Sequence, residues 1–321
     1  MIGWRRLKAA GVLGMNQRNA DFILRHNPRR HYPLVDDKLR TKRLAQQAGI
    51  AVPELYGVIE IEHDIARLPE IVKDRRDFVI KPAHGSGGNG ILVVTGRHQQ
   101  RYRLSNDTLM TEEEIEHHIS NILNGMYSLG GQADKALLEY RVKFDPLFEQ
   151  VSYRGVPDIR TVVFRGVPVA SMVRLPTRAS DGKANLHQGA VGAGIDMASG
   201  LTTRAVCQNE VVTQHPDTGA EIAGLQIPRW ETLLTLAARC HELVGLGCLG
   251  VDVVLDRERG PLVLELNARP GLAIQIANGA GLRKRLERID RLNDIPADPA
   301  ERARLAMEWF GIRAGEAART G

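Results

Sequence analysis

The sequence predicts an α+β fold with mixed sheets, divided into two or three lobes. Helical and strand-like segments alternate in the first half of the chain, as expected for a sheet covered by helices. In the middle, apolar runs at residues 159–164 and 167–175 are joined by Arg165 and Gly166, which is a β-hairpin signal. The 321 residues also exceed the ~250 at which a single core usually divides. A cleft between lobes is therefore expected, and clefts are where ligands bind.

The individual elements follow from apolar spacing and from the residues that bound each segment. In the first half we expect helices over 36–48 and 111–123, the second opened by the capping box of Thr111 and Glu114, and strands over 78–80, 91–95 and 136–140. In the second half we expect a polar, glycine-rich stretch over 177–200, a helix over 230–244, strands over 248–256 and 262–267, and a charged helical tail from residue 282. We interpret this tail as a solvated helix.

Composition excludes several classes of function. The formal charge is +5 and the isoelectric point about 9.2, but the basic residues are spread along the chain, so a nucleoside triphosphate explains them as well as a nucleic acid. No run approaches the ~20 apolar residues of a membrane span. Cys207, Cys240 and Cys248 lack metal or disulfide spacing and read as buried apolar residues. We expect a cytoplasmic protein with no nucleic-acid partner and no membrane span.

The sharpest local feature is a glycine-rich loop between two strands. Residues 78–91 read FVIKPAHGSGGNGI, with Lys81 closing the first strand. A loop with so few Cβ atoms can place backbone N–H groups on phosphate oxygens, and a lysine at the strand end can reach the same phosphates. A P-loop or a dinucleotide-binding loop would instead open a helix, so both are excluded. We interpret residues 85–90 as a flexible glycine flap.

Two strands near residue 260 place polar side chains in apolar surroundings. Glu265 and Asn267 are two residues apart and therefore lie on one face of their strand. Asp252 lies on the strand expected to pair with it. Three oxygen donors at one place would bind Mg²⁺, with phosphate oxygens completing the coordination shell.

In their order, these segments resemble the ATP-grasp superfamily, in which two lobes of mixed or antiparallel sheet with flanking helices clamp ATP. Residues 37–42 and 49–53 are similar to the segment that carries the first nucleotide lysine, also found in D-alanine:D-alanine ligases. Residues 137–140 resemble the strand linking the lobes, whose backbone meets the adenine edge. Residues 158–160 resemble the ribose-contacting segment of the ribosomal-protein glutamate ligases.

The closest similarity is to the alpha-L-glutamate ligase-like proteins of that branch, at residues 183–189 and 265–272. The resemblance covers residues 15–280 and has two departures. Relatives usually carry a further domain before the first lysine, whereas some three dozen residues precede Lys38 here, which weakens any inference about substrate. Arg269 also stands where the compared glutamate ligases have a smaller residue, which suggests a different grip on substrate or phosphate.

The resemblance implies a division of the chain and a set of roles. The expected divisions are a short helical segment over 1–35, a first lobe with the flap over 36–135, a second lobe with the metal site over 136–281, and the tail over 282–321. The expected ATP-binding residues are Lys38, Lys81, Gly85, Ser86, Gly87, Gly88, Asn89, Gly90, Glu139, Tyr140, Asp158, Arg160 and Lys183. The expected metal ligands are Asp252, Glu265 and Asn267, and the expected catalytic residues are Arg174, Arg269, Asn185 and His187.

These roles imply an ATP-dependent ligase that joins a carboxylate to an amine through an acyl phosphate. ATP and Mg²⁺ are the expected cofactors, with Mn²⁺ as a substitute, and an amino acid or peptide is the expected substrate; a homo-oligomer is left open. One alternative is a regulatory module or pseudoenzyme that binds ATP and acts on a partner protein. Another is an ATP-grasp enzyme that phosphorylates a substrate or transfers to something other than an amine.

Overall fold

The computed structural model describes residues 3–85, 87–128 and 130–312. Its strands are β1 Leu55–Ile59, β2 Phe78–Pro82, β3 Leu92–His98, β4 Arg101–Leu104, β5 Leu109–Met110, β6 Ala136–Glu139, β7 Asp158–Phe164, β8 Val167–Leu175, β9 Val191–Ile195, β10 Thr202–Cys207, β11 Glu210–Val212, β12 Cys248–Asp256 and β13 Gly260–Asn267. Its helices are α1 Trp4–Ala9, α2 Met15–Gln17, α3 Leu24–His26, α4 Pro33–Asp36, α5 Lys38–Gln47, α6 Leu68–Ile71, α7 Glu112–Leu123, α8 Trp230–Val244, α9 Ile274–Ala277, α10 Arg283–Asp290 and α11 Pro299–Phe310. A π-helical stretch, Arg18–Ile23, makes residues 15–26 one continuous helical segment.

The expected α+β fold is confirmed. Within the described residues the strands form a six-stranded and a seven-stranded sheet, and the strand pairs recorded in both are antiparallel. Each sheet has its own apolar core: α7 packs on the first, and α8 packs in the larger core of the second. The chain therefore has two lobes, each built on one sheet.

The first sheet has the order β1-β6-β2-β3-β4-β5. Strand β6 lies between β1 and β2 and pairs with both, so the boundary set at residue 135 has to move past Glu139. All four residues of β6 are buried. A strand that is buried on both faces is apolar throughout, so its sequence does not show which sheet it joins. For this reason the predicted boundary put β6 in the wrong lobe.

The second sheet has the order β11-β10-β9-β8-β7-β12-β13. The β7–β8 hairpin and the β12–β13 hairpin appear where they were expected. Strand β9, however, lies inside the stretch over 177–200 that was interpreted as polar and glycine-rich, and all of its residues are buried. A Cβ at Gly194 would lie 2.7 Å from the carbonyl oxygen of Ala277. This glycine therefore reflects close packing against α9 and not a loop.

The first and the last of the described segments both pack on the second lobe. Leu13, Phe22 and Val35 are buried in the larger core, so the described part of residues 1–35 forms one body with that lobe. In α11, Ala303 and Phe310 are buried in the same core. The interpretation of the tail as a solvated helix is therefore wrong for the described residues; its apolar stripe was hidden among charged residues. Residues 313–321 lie outside the described range.

No helix among the described residues is both long enough and apolar enough to cross a bilayer.

Candidate functional site

Three lysines converge on a cavity between α5 and β13. Asp37 caps α5 by accepting a hydrogen bond from the Arg40 N–H, at 3.1 Å. Because the helix begins at Lys38, Lys38 and Lys42 are both helical, and their spacing of four residues puts them on one face of the helix. Lys81 enters the same cavity from β2, and Glu265 enters it from β13. The cavity thus joins the first lobe to the edge of the second.

Glu139 lies at the centre of the lysine cluster. Its side chain is 3% exposed and forms ion pairs with Lys81 and with Lys42, the latter at 2.8 Å. Burial opposes its ionisation, but the two ammonium groups outweigh burial and lower the pKa of Glu139. Burial lowers the pKa of Lys42 to about 8, against the attraction of Glu139. One carboxylate shared by two buried lysines leaves a net positive charge facing the cavity.

Lys38 connects the flap to the second lobe. Its Nζ donates a hydrogen bond to the carbonyl oxygen of Gly85 and lies 3.8 Å from Glu265 Oε1. Burial lowers the pKa of Lys38. The backbone N–H of Lys38 also donates to the carbonyl oxygen of Ala83, at 3.0 Å. The helix start, the flap and β13 therefore meet at one lysine.

The tip of the flap touches the second lobe. Gln188 Nε2 donates to the carbonyl oxygen of Gly87, at 3.3 Å, and a Cβ on Gly88 would lie 3.4 Å from the Lys183 side chain. Asn185 Oδ1 accepts from the His187 N–H, at 3.0 Å, and so caps the short turn that presents Gln188. Gly87 and Asn89 are exposed, and Ser86 lies outside the described residues. The described part of the flap tip therefore contacts the segment between β8 and β9.

A histidine contributes to the contacts that hold each end of the flap, the end that begins after His84 and the end at Gly90. At the first, the His84 N–H and Nδ1 both contact the buried carboxylate of Asp134, at 3.0 and 2.8 Å, and Ser128 Oγ donates to the same carboxylate, at 2.6 Å. At the second, His118 Nε2 lies 3.0 Å from the carbonyl oxygen of Gly90. The flap is therefore a loop with fixed ends and an exposed tip.

The predicted metal ligands do converge. Asp252 and Glu265 are cross-strand partners in the β12–β13 hairpin. Asn267 Nδ2 lies 3.4 Å from Asp252 Oδ2. The Asp252 carboxylate is also held by two guanidinium groups, from Arg160 at 2.7 and 2.5 Å and from Arg174 at 2.8 Å. Asp252 thus reaches the site as part of an ion-pair network.

The donor set suits a cation shared with phosphates. Among the described residues no group of three or more His, Cys, Asp or Glu side chains could hold a metal by itself. Mg²⁺ is normally bound by one or two carboxylates together with substrate phosphates, which is the number and kind of donor present here. Glu265 and Asn267 are the donors of this set that no guanidinium group engages in the described structure. The residues present therefore fit Mg²⁺ bound together with a phosphate-bearing ligand.

Asp158 completes the arginine network. It forms a bidentate pair with Arg174, with one oxygen 2.5 Å from Arg174 Nε. Burial raises the pKa of Asp158 to about 6, and the neighbouring Asp252 adds to this effect. Arg160 and Arg174 together lower the pKa of Asp252 in spite of its burial. Asp158 and Arg160, expected at the ribose, are therefore engaged in the ion pairs around Asp252.

Three predicted residues lie apart from these clusters. The backbone N–H of Tyr140 already donates to the carbonyl oxygen of Glu54, at 2.8 Å, so it is not free to meet adenine. The Arg269 guanidinium packs over the ring of Tyr32, 5.2 Å from its centroid. His187 is exposed. The structure brings none of these side chains into contact with the Asp252 network.

The sequence analysis did not predict three features of the site: Lys42 in the lysine cluster, the contact of Gln188 with the flap, and the His84–Asp134 pair. The spacing of Lys38 and Lys42 on a predicted helix is a signal that could have identified the third lysine. Gln188 and Asp134 gave no such signal, because their partners Gly87 and His84 are 101 and 50 residues away in sequence.

A family model described as sugar-transfer associated ATP-grasp matches residues 17–291. The chain belongs to this ATP-grasp family. The match spans both sheets, the lysine cluster, the flap and the Asp252 network. The ATP-grasp resemblance and the fold that it implies are thereby confirmed.

Curated relatives are distant. Cyanophycin synthetase of Synechocystis sp. (strain ATCC 27184 / PCC 6803 / Kazusa) is 26% identical over 303 residues, which cover 88% of this chain and 33% of that protein. A probable alpha-L-glutamate ligase of Pseudomonas putida (strain GB-1) is 26% identical over 244 residues, which cover 76% of this chain and 59% of that protein. The chain thus spans 33% and 59% of the lengths of these two relatives.

Solved structures with a similar arrangement include the D-alanine-D-alanine ligase from Coxiella burnetii, with a TM-score of 0.45 and 14% identity over 87% of this chain and 61% of that one. D-cycloserine synthetase DcsG has a TM-score of 0.44 and 16% identity over 81% of this chain and 73% of that one. These likenesses are remote.

Proposed function

We propose that the protein is an ATP-dependent carboxylate–amine ligase that forms an amide bond through an acyl phosphate. The observation that carries the proposal is the meeting of three lysines and Glu265 at one cavity between the lobes, with the glycine flap held beside it by the hydrogen bond from Lys38 to Gly85. This is the charge distribution that a triphosphate with its metal requires. Membership of an ATP-grasp family supports the same assignment.

In this proposal the chain binds ATP by its charges and its flap. Lys38 and Lys81 hold the α- and β-phosphates, with Lys42 sharing the Glu139 carboxylate, and the backbone of residues 85–90 covers the β- and γ-phosphates. Glu265 and Asn267, together with Asp252, hold Mg²⁺, for which Mn²⁺ is a substitute. The metal would supply neutralisation of phosphate charge when it is bound.

The chemistry then has two steps. A substrate carboxylate oxygen attacks the γ-phosphorus, and the bond to the leaving ADP oxygen breaks, which yields the acyl phosphate. An amine next attacks the acyl carbon, inorganic phosphate leaves, and the amine proton is lost. Arg174 lies beside Asp252 and is the candidate to stabilise the oxyanion of the second step. Asn185 and Lys183 position the flap tip at the entrance, and Arg269 and His187 lie outside this cluster, as candidates for substrate contact.

The substrate is proposed to be an amino acid, with glutamate as the first candidate, or a peptide. The name alpha-L-glutamate ligase, given to relatives that cover 76% of this chain, supports glutamate. The closed flap would exclude water, since a free acyl phosphate would hydrolyse.

The deciding experiment measures ADP release with Mg²⁺ and ATP across a panel of amino acids and short peptides, with hydroxylamine as surrogate amine. We expect a substrate-dependent rise in ADP together with a hydroxamate, because only an acyl intermediate gives a hydroxamate. ADP release with a phosphorylated substrate and no hydroxamate would identify a kinase. Tight ATP binding with no ADP release across the panel would favour a regulatory module.

Substitution of Gly90 by alanine tests the flap. Gly90 has φ +74, and a Cβ there would lie 2.5 Å from the ring of Tyr127. The flap must shift, so we expect the KM for ATP to rise about tenfold or more, equivalent to about 1.4 kcal/mol. Gly96→Ala is the matched control, since a Cβ at Gly96 meets nothing within 4 Å. Equal KM values for both variants would contradict a role of the flap in ATP binding.

A further inference from the structure

The net excess of positive charge is carried by two segments that are far apart in sequence. Residues 4–31 contain seven lysines and arginines and one acidic residue, and residues 283–291 contain five basic and two acidic residues. The formal charge of the whole chain is +5, so these segments carry more than the entire excess and the remainder is net negative.

The two segments lie side by side on the second lobe. The Arg283 N–H donates to the carbonyl oxygen of Gly11, at 3.0 Å, and Arg283 Nη2 donates to the carbonyl oxygen of Lys8, at 2.6 Å. At the other end of α10, His26 Nε2 lies 3.0 Å from Asp290 Oδ1. We call the exposed basic side chains of residues 4–31 and 283–291 the basic platform.

Little acidic charge neutralises the basic platform. Asp290 is engaged by both Arg25, at 3.5 Å, and His26. Glu287 lies 3.8 Å from Arg283, within α10. Arg5, Arg6 and Lys8 on α1 are exposed, and no ion pair to any of them is found among the described residues. The platform therefore presents an unneutralised positive field to a polyanionic partner.

Exposed apolar side chains accompany this charge. Met15 is 65% exposed and Leu24 is 66% exposed, at the two ends of the helical segment 15–26. Basic side chains next to exposed apolar ones are typical of elements that lie in the interface of an anionic membrane. A nucleic acid would use the charge but would leave the two apolar side chains in water.

From this placement we propose that the basic platform docks the protein peripherally on membranes that carry anionic lipids. The interaction is electrostatic in the main, with Met15 and Leu24 entering the headgroup region. It is independent of the proposed ligase activity, because the platform contains none of the residues assigned to ATP, metal or catalysis.

The test is sedimentation of the purified protein with vesicles of phosphatidylcholine alone or with about 30% phosphatidylserine. We expect binding only to the anionic vesicles, with a steep loss as salt is raised. The variants Arg5→Glu/Arg6→Glu/Lys8→Glu and Arg29→Glu/Arg30→Glu should each reduce the partition coefficient at least tenfold, since each basic side chain near such a surface contributes about fivefold. The control Arg101→Glu/Arg103→Glu, on β4 of the first lobe, should bind as the parent does.

Two further measurements separate a membrane from other polyanions. Met15→Ser/Leu24→Ser should lower vesicle binding at least threefold and leave binding to a DNA duplex unchanged. Thermal unfolding of every variant establishes that the fold is retained. Absence of binding to anionic vesicles, equal loss in the β4 control, or tighter binding to the duplex than to the vesicles at the same ionic strength would overturn the proposal.

Discussion

Replacing Glu265 by glutamine is expected to reduce Mg²⁺-dependent ATP turnover by about a hundred- to a thousandfold, the range seen when one strong electrostatic contact to the transition state is removed. Glutamine keeps the size of the side chain but removes the negative charge of the carboxylate proposed to bind Mg²⁺. The side chain is 33% exposed and sits 3.8 Å from Lys38 Nζ. The change should therefore leave the free energy of unfolding within about 1 kcal/mol of the parent.

The measurement is ADP release at saturating ATP over a Mg²⁺ titration, with thermal unfolding as the check on the fold. Glu258→Gln is the matched control, because Glu258 lies in the turn of the same β12–β13 hairpin and forms an exposed ion pair with Lys143, at 3.4 Å. A Glu265→Gln protein that turns over ATP at the parental rate would remove Glu265 from the proposed metal site.

Replacing Glu139 by glutamine is expected to lower the free energy of unfolding by about 3–5 kcal/mol, which is the cost of leaving a buried charge without its partner. Two lysines depend on this carboxylate, and both are 5% exposed. The neutral amide leaves Lys42 and Lys81 to repel each other in a largely buried site. ATP binding should weaken with the fold, since the same lysines line the cavity.

Urea unfolding measures the effect on stability. The matched control is Glu60→Gln, because Glu60 pairs with Lys135 but is 45% exposed, so its loss should cost no more than about 1 kcal/mol. The triple variant Glu139→Leu/Lys42→Met/Lys81→Met should recover most of the stability without recovering ATP binding, because apolar residues of similar volume can replace a buried ion cluster. Similar losses for Glu139→Gln and Glu60→Gln would show that the lysine cluster is not electrostatically held.

Several individual helices and strands were predictable because the interactions that define them join residues close together in the sequence. The capping box of Thr111 and Glu114 begins α7, with Glu114 N donating to Thr111 Oγ1 at 3.2 Å and Thr111 N donating to Glu114 Oε2 at 2.7 Å. Helix α8 spans Trp230–Val244 as the apolar spacing predicted. Strands β12 and β13 pair as expected, and the structure adds that Asp252 lies opposite Glu265.

The errors have a different origin. Strand β9 was missed because its glycines resemble a loop, whereas Gly194 is small to allow close packing against α9. Helix α11 was missed because its buried stripe is narrow among charged residues. In both cases the decisive fact is what packs against the segment. Such contacts join residues far apart in sequence, and a single sequence carries no record of them.

In the candidate site, too, local features were predictable and contacts between distant residues were not. Lys38, Lys81, the glycine flap and the three candidate metal ligands were singled out from motif and position, and the structure places Asp252 beside both Glu265 and Asn267. The pairing of Asp252 with Arg160 and Arg174 was not predicted, and neither were the anchors of the flap at His84 and His118. Hydrogen bonds and ion pairs depend on distances of a few ångströms, which only the folded arrangement of the sheets sets.

By itself, the sequence determined the fold class, the family resemblance and which residue types were available for ATP and Mg²⁺, because these depend on local spacing and on the order of motifs. Only the tertiary structure decided that Glu139 is shared by two lysines and that Asp252 is bound by two arginines. It also decided that residues 4–31 and 283–291 lie side by side, so that their basic side chains form one platform. Charges separated by more than 250 residues act together only when folding places them within a Debye length of each other.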